Sequence, residues 1–92
     1  MANVTINVSG VNATRLVLTA ATVLTITGGY DGQLLTLITQ QDSTGSRALT
    51  YTNVPSGTTV DSAANSNTIQ LLVYDGATGN WGFLAVATPP GV

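Results

Sequence analysis

A chain of 92 residues suits one domain, and its charges are few: Arg15, Arg47, Asp31, Asp42, Asp61 and Asp75, a net charge of −2. Lys, Glu, His and Cys are absent, which removes a disulfide framework, a thiolate zinc site and the usual general base, so neither a metal nor a cofactor is expected. Two arginines supply neither the basic footprint that nucleic acid requires nor the polybasic patch that anionic lipid requires.

The chain reads as strands from its first residues. Val4 to Val8 alternates, with Val4, Ile6 and Val8 on one face and Thr5 and Asn7 on the other. Ser9-Gly10 breaks it. Thr14 to Thr19 follows, with Leu16 and Leu18 opposite Arg15 and Val17. Thr22 to Thr27 sets Leu24 and Ile26 against Val23, Thr25 and Thr27. Gly28 to Gly32 is a turn signal. Gln33 to Thr39 has apolar residues on both faces, Leu35 and Leu37 against Leu34 and Ile38, the pattern of a central or sandwiched strand.

Gln40 to Ser46 is a polar loop, and Arg47 to Thr52 returns, so a long-loop β-hairpin is expected here. Asn53 to Asn67 is irregular, with Thr58 to Val60 as a short edge strand. In Thr68 to Tyr74, Ile69, Leu71 and Val73 alternate with Gln70, Leu72 and Tyr74. A turn at Asp75 to Asn80 leads into Trp81 to Ala87, a second hairpin. Thr88-Pro89-Pro90 cannot extend a ladder, so residues 1–88 form the domain and 89–92 a loose tail.

No stretch has the spacing of an amphipathic helix, and Thr, Val, Leu and Ile, which suit a pleated surface, dominate the chain. The expected class is all-β: an antiparallel β-sandwich of about seven to eight short strands, without significant helix. No apolar run is long enough to span a bilayer as a helix. The first ten residues lack the basic and apolar regions of a signal peptide, so none is expected, and the absence of Cys fits an intracellular origin.

Only 7% of the residues are charged while 43% are hydrophobic, against roughly a quarter charged in soluble domains generally. A domain this small hides only about 60–65% of its extended-chain surface. The remainder must be largely hydroxyl, amide and aliphatic, a surface that repels itself little and associates readily. Burial against other chains is the expectation. Trp81, Tyr30 and Tyr74 are candidate anchors. The N-terminal arm, with Val4, Ile6 and Val8, is a candidate for strand addition to a neighbour.

Catalytic chemistry finds little support. The four aspartates each sit in or beside a turn, where Asp has a backbone role. A glycosidase reading would need a carboxylate pair, for example Asp31 with Asp75. No enzymatic activity is expected. Arg47 follows the loop that holds Asp42, so an Asp42–Arg47 ion pair closing that hairpin is expected, with a neighbouring subunit as the alternative partner for Arg47.

Two segments, Gly32 to Tyr51 and Thr68 to Trp81, carry a pattern: a Gly-Gln start, a strand, a Gln-Asp-x-x-Gly loop, an Arg-led strand ending in an aromatic, then a strand into Tyr-Asp-Gly and Trp. Its residues are Gly32, Gln33, Leu35, Leu37, Gln41, Asp42, Gly45, Arg47, Tyr51, Tyr74, Asp75, Gly76 and Trp81. The pattern resembles β-rich structural modules of tailed-phage virions. The resemblance spans a little over half the chain, and the usual second glycine before the arginine is Ser46 here. It implies a homotrimeric, jelly-roll-like sandwich in a virion. A small chain beginning at Met1 suits a capsid decoration, or cement, protein bound to the major capsid protein on the exterior of the head and made in the host cytoplasm. The alternative is a tail fibre or tail spike module that binds a host receptor or glycan.

Overall fold

Alternating Thr and aliphatic residues give seven strands in the computed structural model, which describes residues 2–54 and 60–87. They are β1 (Ala2–Asn7), β2 (Ala13–Leu18), β3 (Thr22–Thr27), β4 (Leu34–Gln41), β5 (Leu49–Tyr51), β6 (Asn67–Asp75) and β7 (Asn80–Ala87). Among the described residues there is no helix. Thr58 and Thr59 of the expected edge strand, and the tail from residue 89, lie outside the described residues.

The strands form a three-stranded sheet, β1-β3-β5, and a four-stranded sheet, β2-β4-β6-β7. The all-β expectation holds. The antiparallel, jelly-roll expectation does not describe this pairing. β1, β3 and β5 are parallel throughout, and β2 pairs parallel with β4. Only β4–β6 and β6–β7 are antiparallel.

The cause is the route of the chain. Each of the first five connections crosses to the other sheet, so the chain winds as a flattened coil and successive turns stack side by side. Parallel neighbours need a long crossover, and here the crossover is a strand of the opposite sheet. The short corners at residues 8–12 and 19–21 therefore suffice. The hairpin expected from Gln33 to Thr52 is replaced by a crossing, with β4 in one sheet and β5 in the other. The hairpin of β6 and β7 forms as expected, with a bulge opposite Leu71 and Leu72.

The core lies between the sheets. Leu24, Ile26 and Leu49 from one side meet Leu18, Leu35, Leu37, Leu72 and Trp81 from the other, with Val8 and Val54 closing the edges. Val4 and Ile6 pack against this cluster. The arm expected to be free to reach a neighbour is therefore docked on β3, with Val4 beside Leu24 and Ile6 beside Ile26. Truncating a leucine in such a core costs about 2–5 kcal/mol.

Candidate interaction surface

The two sheets turn different faces outward. On the three-stranded sheet the outer positions include Asn3, Thr5, Asn7, Thr25, Thr27 and Thr50, and the Thr25 and Thr52 hydroxyls hydrogen-bond at 2.7 Å. Apart from Val23, in the row between Asn3 and Thr50, these are groups that water satisfies. On the four-stranded sheet, alternation directs Thr68, Gln70 and Leu72 inward and leaves Ile69, Leu71 and Val73 outward and only partly covered. β4 does the same: Leu35 and Leu37 are buried, while Leu34, next in sequence, is 52% exposed.

Register builds these residues into rows. Leu34 lies beside Val73, and Val73 beside Gly82. Thr36 joins Ala13 to Leu71, and Leu71 reaches Ala85. Ile38 joins Arg15 to Ile69, and Ile69 reaches Ala87. Val17, Gln40 and Asn67 form the last row, with Val17 48% exposed. β4 is central, as its two-sided apolar pattern implies, but it is covered on one face only. Among the described residues, no strand packs over the other face.

Arg15 is the cation of this face. Its Nη1 donates to Gln40 Oε1 and to Asn67 Oδ1, both at 2.9 Å. No carboxylate stands against it among the described residues, where the ion pair is Arg47 with Asp42. Asp75 lies at the far end of β6 on the same alternation as Ile69, Leu71 and Val73.

The turns beside this end are tied together. Asp31 Oδ1 accepts from Gly76 N at 2.9 Å, and Asp75 Oδ1 accepts from Ala77 N at 2.9 Å. The two Tyr-Asp-Gly segments thus meet in space, and both carboxylates cap turns. Tyr30 is 63% exposed there. Trp81 is fully enclosed by its own chain, with Tyr74 half-buried beside it at a ring separation of 5.0 Å. Trp81 therefore has no free surface to offer a partner in this conformation, and Val8 is enclosed likewise. Gly29 fits beneath this pair because a Cβ there would stand 2.7 Å from Tyr74 Cγ.

The Gln-Asp-x-x-Gly loop is a structural lock. Buried Gln41 donates from Nε2 to the Arg47 and Asp61 carbonyls at 2.9 and 3.0 Å, and its Oε1 accepts from Arg47 N at 2.9 Å. Asp42 Oδ1 accepts from Thr44 N and Gly45 N. Arg47 Nη2 stands 3.1 Å from Asp42 Oδ2, so the expected ion pair forms within the chain, across an inter-sheet loop rather than a hairpin. The hydrogen bond from Arg47, helped by the Gly45 amide, lowers the Asp42 pKa from its ordinary value.

Among the described residues, no group of three or more His, Cys, Asp or Glu is placed to hold a metal ion. No helix of the described residues is long and apolar enough to cross a membrane. No family model, curated protein or solved structure matches the chain.

Leu34, Ile38, Val17 and Arg15 are absent from the candidates that sequence reading selects, which favour aromatics. The signal was present in β4, whose apolar residues fall on both faces. A strand covered on both sides and a strand with one apolar face left open have the same pattern.

Proposed function

We propose that this chain is a structural protein of a phage virion, a capsid decoration protein that works by association rather than by catalysis. It binds the outer surface of the head as an oligomer and contacts the major capsid protein. The observation that carries this reading is the open apolar face of the four-stranded sheet, beside a second sheet whose outer face is hydroxyl-rich. An exposed apolar sheet face in a chain with so little charge favours burial against protein. The resemblance of Gly32 to Tyr51 and Thr68 to Trp81 to virion modules supplies the setting.

The mechanism is thermodynamic. A protein that binds only the assembled lattice stabilises it by mass action, and many equivalent copies multiply a modest energy per site. Edge strand β1 offers a route to the shell. Its outer edge has no charge, proline or bulge, the devices that usually protect an edge. An extended segment of a neighbour can pair there.

A tail fibre or spike module that binds a host receptor or glycan is the second reading, and the winding favours it. β1 and β2, the edge strands of their sheets among the described residues, both belong to the first turn of the coil, where a further coil can stack. Co-sedimentation separates the two. Binding to phage shells that lack this protein, with no binding to host cells, is the expected result. Binding to cells or surface polysaccharide with none to shells selects the second reading.

A further inference from the structure

We infer that the outer face of the four-stranded sheet is a self-complementary docking surface for a second copy of this chain, arranged about a two-fold axis that sets Arg15 of each copy against the Asp75 end of the other. The inference rests on the association reading above and adds the partner, the symmetry and the contacts.

The size of the face is the first support. Four strands about 4.8 Å apart, each offering six to nine residues at about 3.3 Å, make a face of roughly 19 by 25 Å. Two copies would cover on the order of 1,000 Å² in all, near the lower bound of a specific interface. Leu34, Ile38, Ile69, Leu71 and Val73 lie on its two central strands, β4 and β6, and apolar centres with polar rims are the usual anatomy of such contacts.

Charge supplies the orientation. Arg15 shares a row with Ile38 and Ile69. Asp75 lies further along β6 from Ile69, about 20 Å away at the usual rise per residue. One face thus carries a cation at one end and an anion at the other, too far apart to pair within the chain. A two-fold axis lying between two such faces and crossing the strands reverses one sheet over the other. Each Arg15 then approaches the end that holds Asp75 of the second copy. An isologous contact forms both pairs together.

A three-fold arrangement, which the phage resemblance implies, does the reverse when strands run along its axis. All copies then point the same way, with three Arg15 at one level and three Asp75 at another. Like charges gather and opposite charges never meet.

Sedimentation equilibrium of the full chain tests this, with thermal unfolding of each variant as the check on folding. The wild type should be a dimer. Arg15→Asp and Asp75→Arg should each weaken dimerisation by about ten-fold or more, and the double variant should return to within about three-fold of the wild type. A monomer, a trimer, or a folded double variant that stays as weak as the singles overturns the inference. A trimer that still binds shells would overturn the two-fold arrangement alone. A dimer that ignores shells would leave it standing and remove the virion reading.

Discussion

Asp31 and Gly76 are joined by a hydrogen bond of 2.9 Å, the Asp31 carboxylate accepting from the Gly76 amide. The bond ties the corner between β3 and β4 to the hairpin turn between β6 and β7. Gly32 N donating to Tyr74 O and Tyr74 N donating to Gln33 O complete the seam, at 2.8 and 2.9 Å. Two segments that look like one turn motif used twice are two halves of one joint. Asp31→Ala removes a single exposed acceptor and should cost about 1 kcal/mol, read by urea unfolding. A loss no larger than that of an exposed Thr→Ala control would show that the seam is held by its backbone bonds alone.

Gln33 should matter more. It is buried, donating from Nε2 to the Val8 and Val11 carbonyls at 2.9 and 2.7 Å and accepting from Tyr30 N at 3.1 Å. Those bonds pin the β1–β2 corner to the β3–β4 turn. Gln33→Leu keeps much of the volume but removes the partner of the Val11 carbonyl and the Tyr30 amide, while the Val8 carbonyl keeps its bond from Val11 N, so a loss of about 2–4 kcal/mol is expected. Chemical denaturation measures it, and a near-neutral result would count against the pin.

Ser46 has φ of 57°, in the left-handed region where a side chain is disfavoured, and it follows Gly45 at φ 74°. Gly45 has no alternative, because a Cβ there would stand 2.8 Å from Ala64 N and Ser62 O. At Ser46, glycine would relieve about 1–2 kcal/mol of backbone strain and give back about 0.5–1 kcal/mol in unfolded-chain entropy. Ser46→Gly should therefore raise the melting temperature slightly. A clear fall would show that the serine side chain contributes more than its backbone costs.

Leu34 and Leu35 are neighbours with opposite surroundings, one half-exposed and the other fully buried. Leu35→Ala should lose about 2–5 kcal/mol. Leu34→Asp should leave the fold within about 1 kcal/mol and abolish self-association. Melting curves and sedimentation of both variants check this. An unfolded Leu34→Asp would mean that the face is part of the core.

The lowered pKa of Asp42 carries a pH dependence. Hydrogen bonds from Arg47 and Gly45 favour the ionised carboxylate in the folded chain. Its contribution is fully present above the ordinary carboxylate pKa and is lost as pH falls through the lowered folded value. Unfolding midpoints followed into the acid range should show a step that Asp42→Asn removes. An identical profile in the variant would assign acid sensitivity elsewhere.

Removing residues 1–8 bears on the arm. As a free arm, they would leave a folded core. With Ala2 to Asn7 docked on β3 and Val4, Ile6 and Val8 packed inward, the arm is part of the body, and its deletion should lower stability as well as association. Far-ultraviolet circular dichroism distinguishes the two outcomes.

How much was legible depends on range. Strand positions follow from alternation: Thr22 to Thr27 is read to the residue, the other observed strands lie within a few residues of their expected bounds, and Val60, the described residue of the expected Thr58 to Val60 edge strand, is in no strand. The Asp42–Arg47 pair follows from short spacing. Sheet membership does not. Ser9-Gly10 and Gly28 to Gly32 show where the chain bends, but a bend within a sheet and a corner between sheets use the same turn chemistry. One clue lay unused in the sequence. Val4-Thr5-Ile6-Asn7 resembles Leu24-Thr25-Ile26-Thr27, and the two segments stand side by side in register.

Residue chemistry alone determined that this chain makes strands, that it cannot rely on charge for its surface, and where its turns fall, because these depend on neighbours within a few positions. Only the tertiary structure decided that the strands wind in parallel between two sheets and that one apolar face stays open. Those outcomes depend on which side of each strand the rest of the chain covers. Alternation marks two sides without saying which is enclosed, and on β6 the glutamine side was taken inward while Ile69, Leu71 and Val73 were left to face outward.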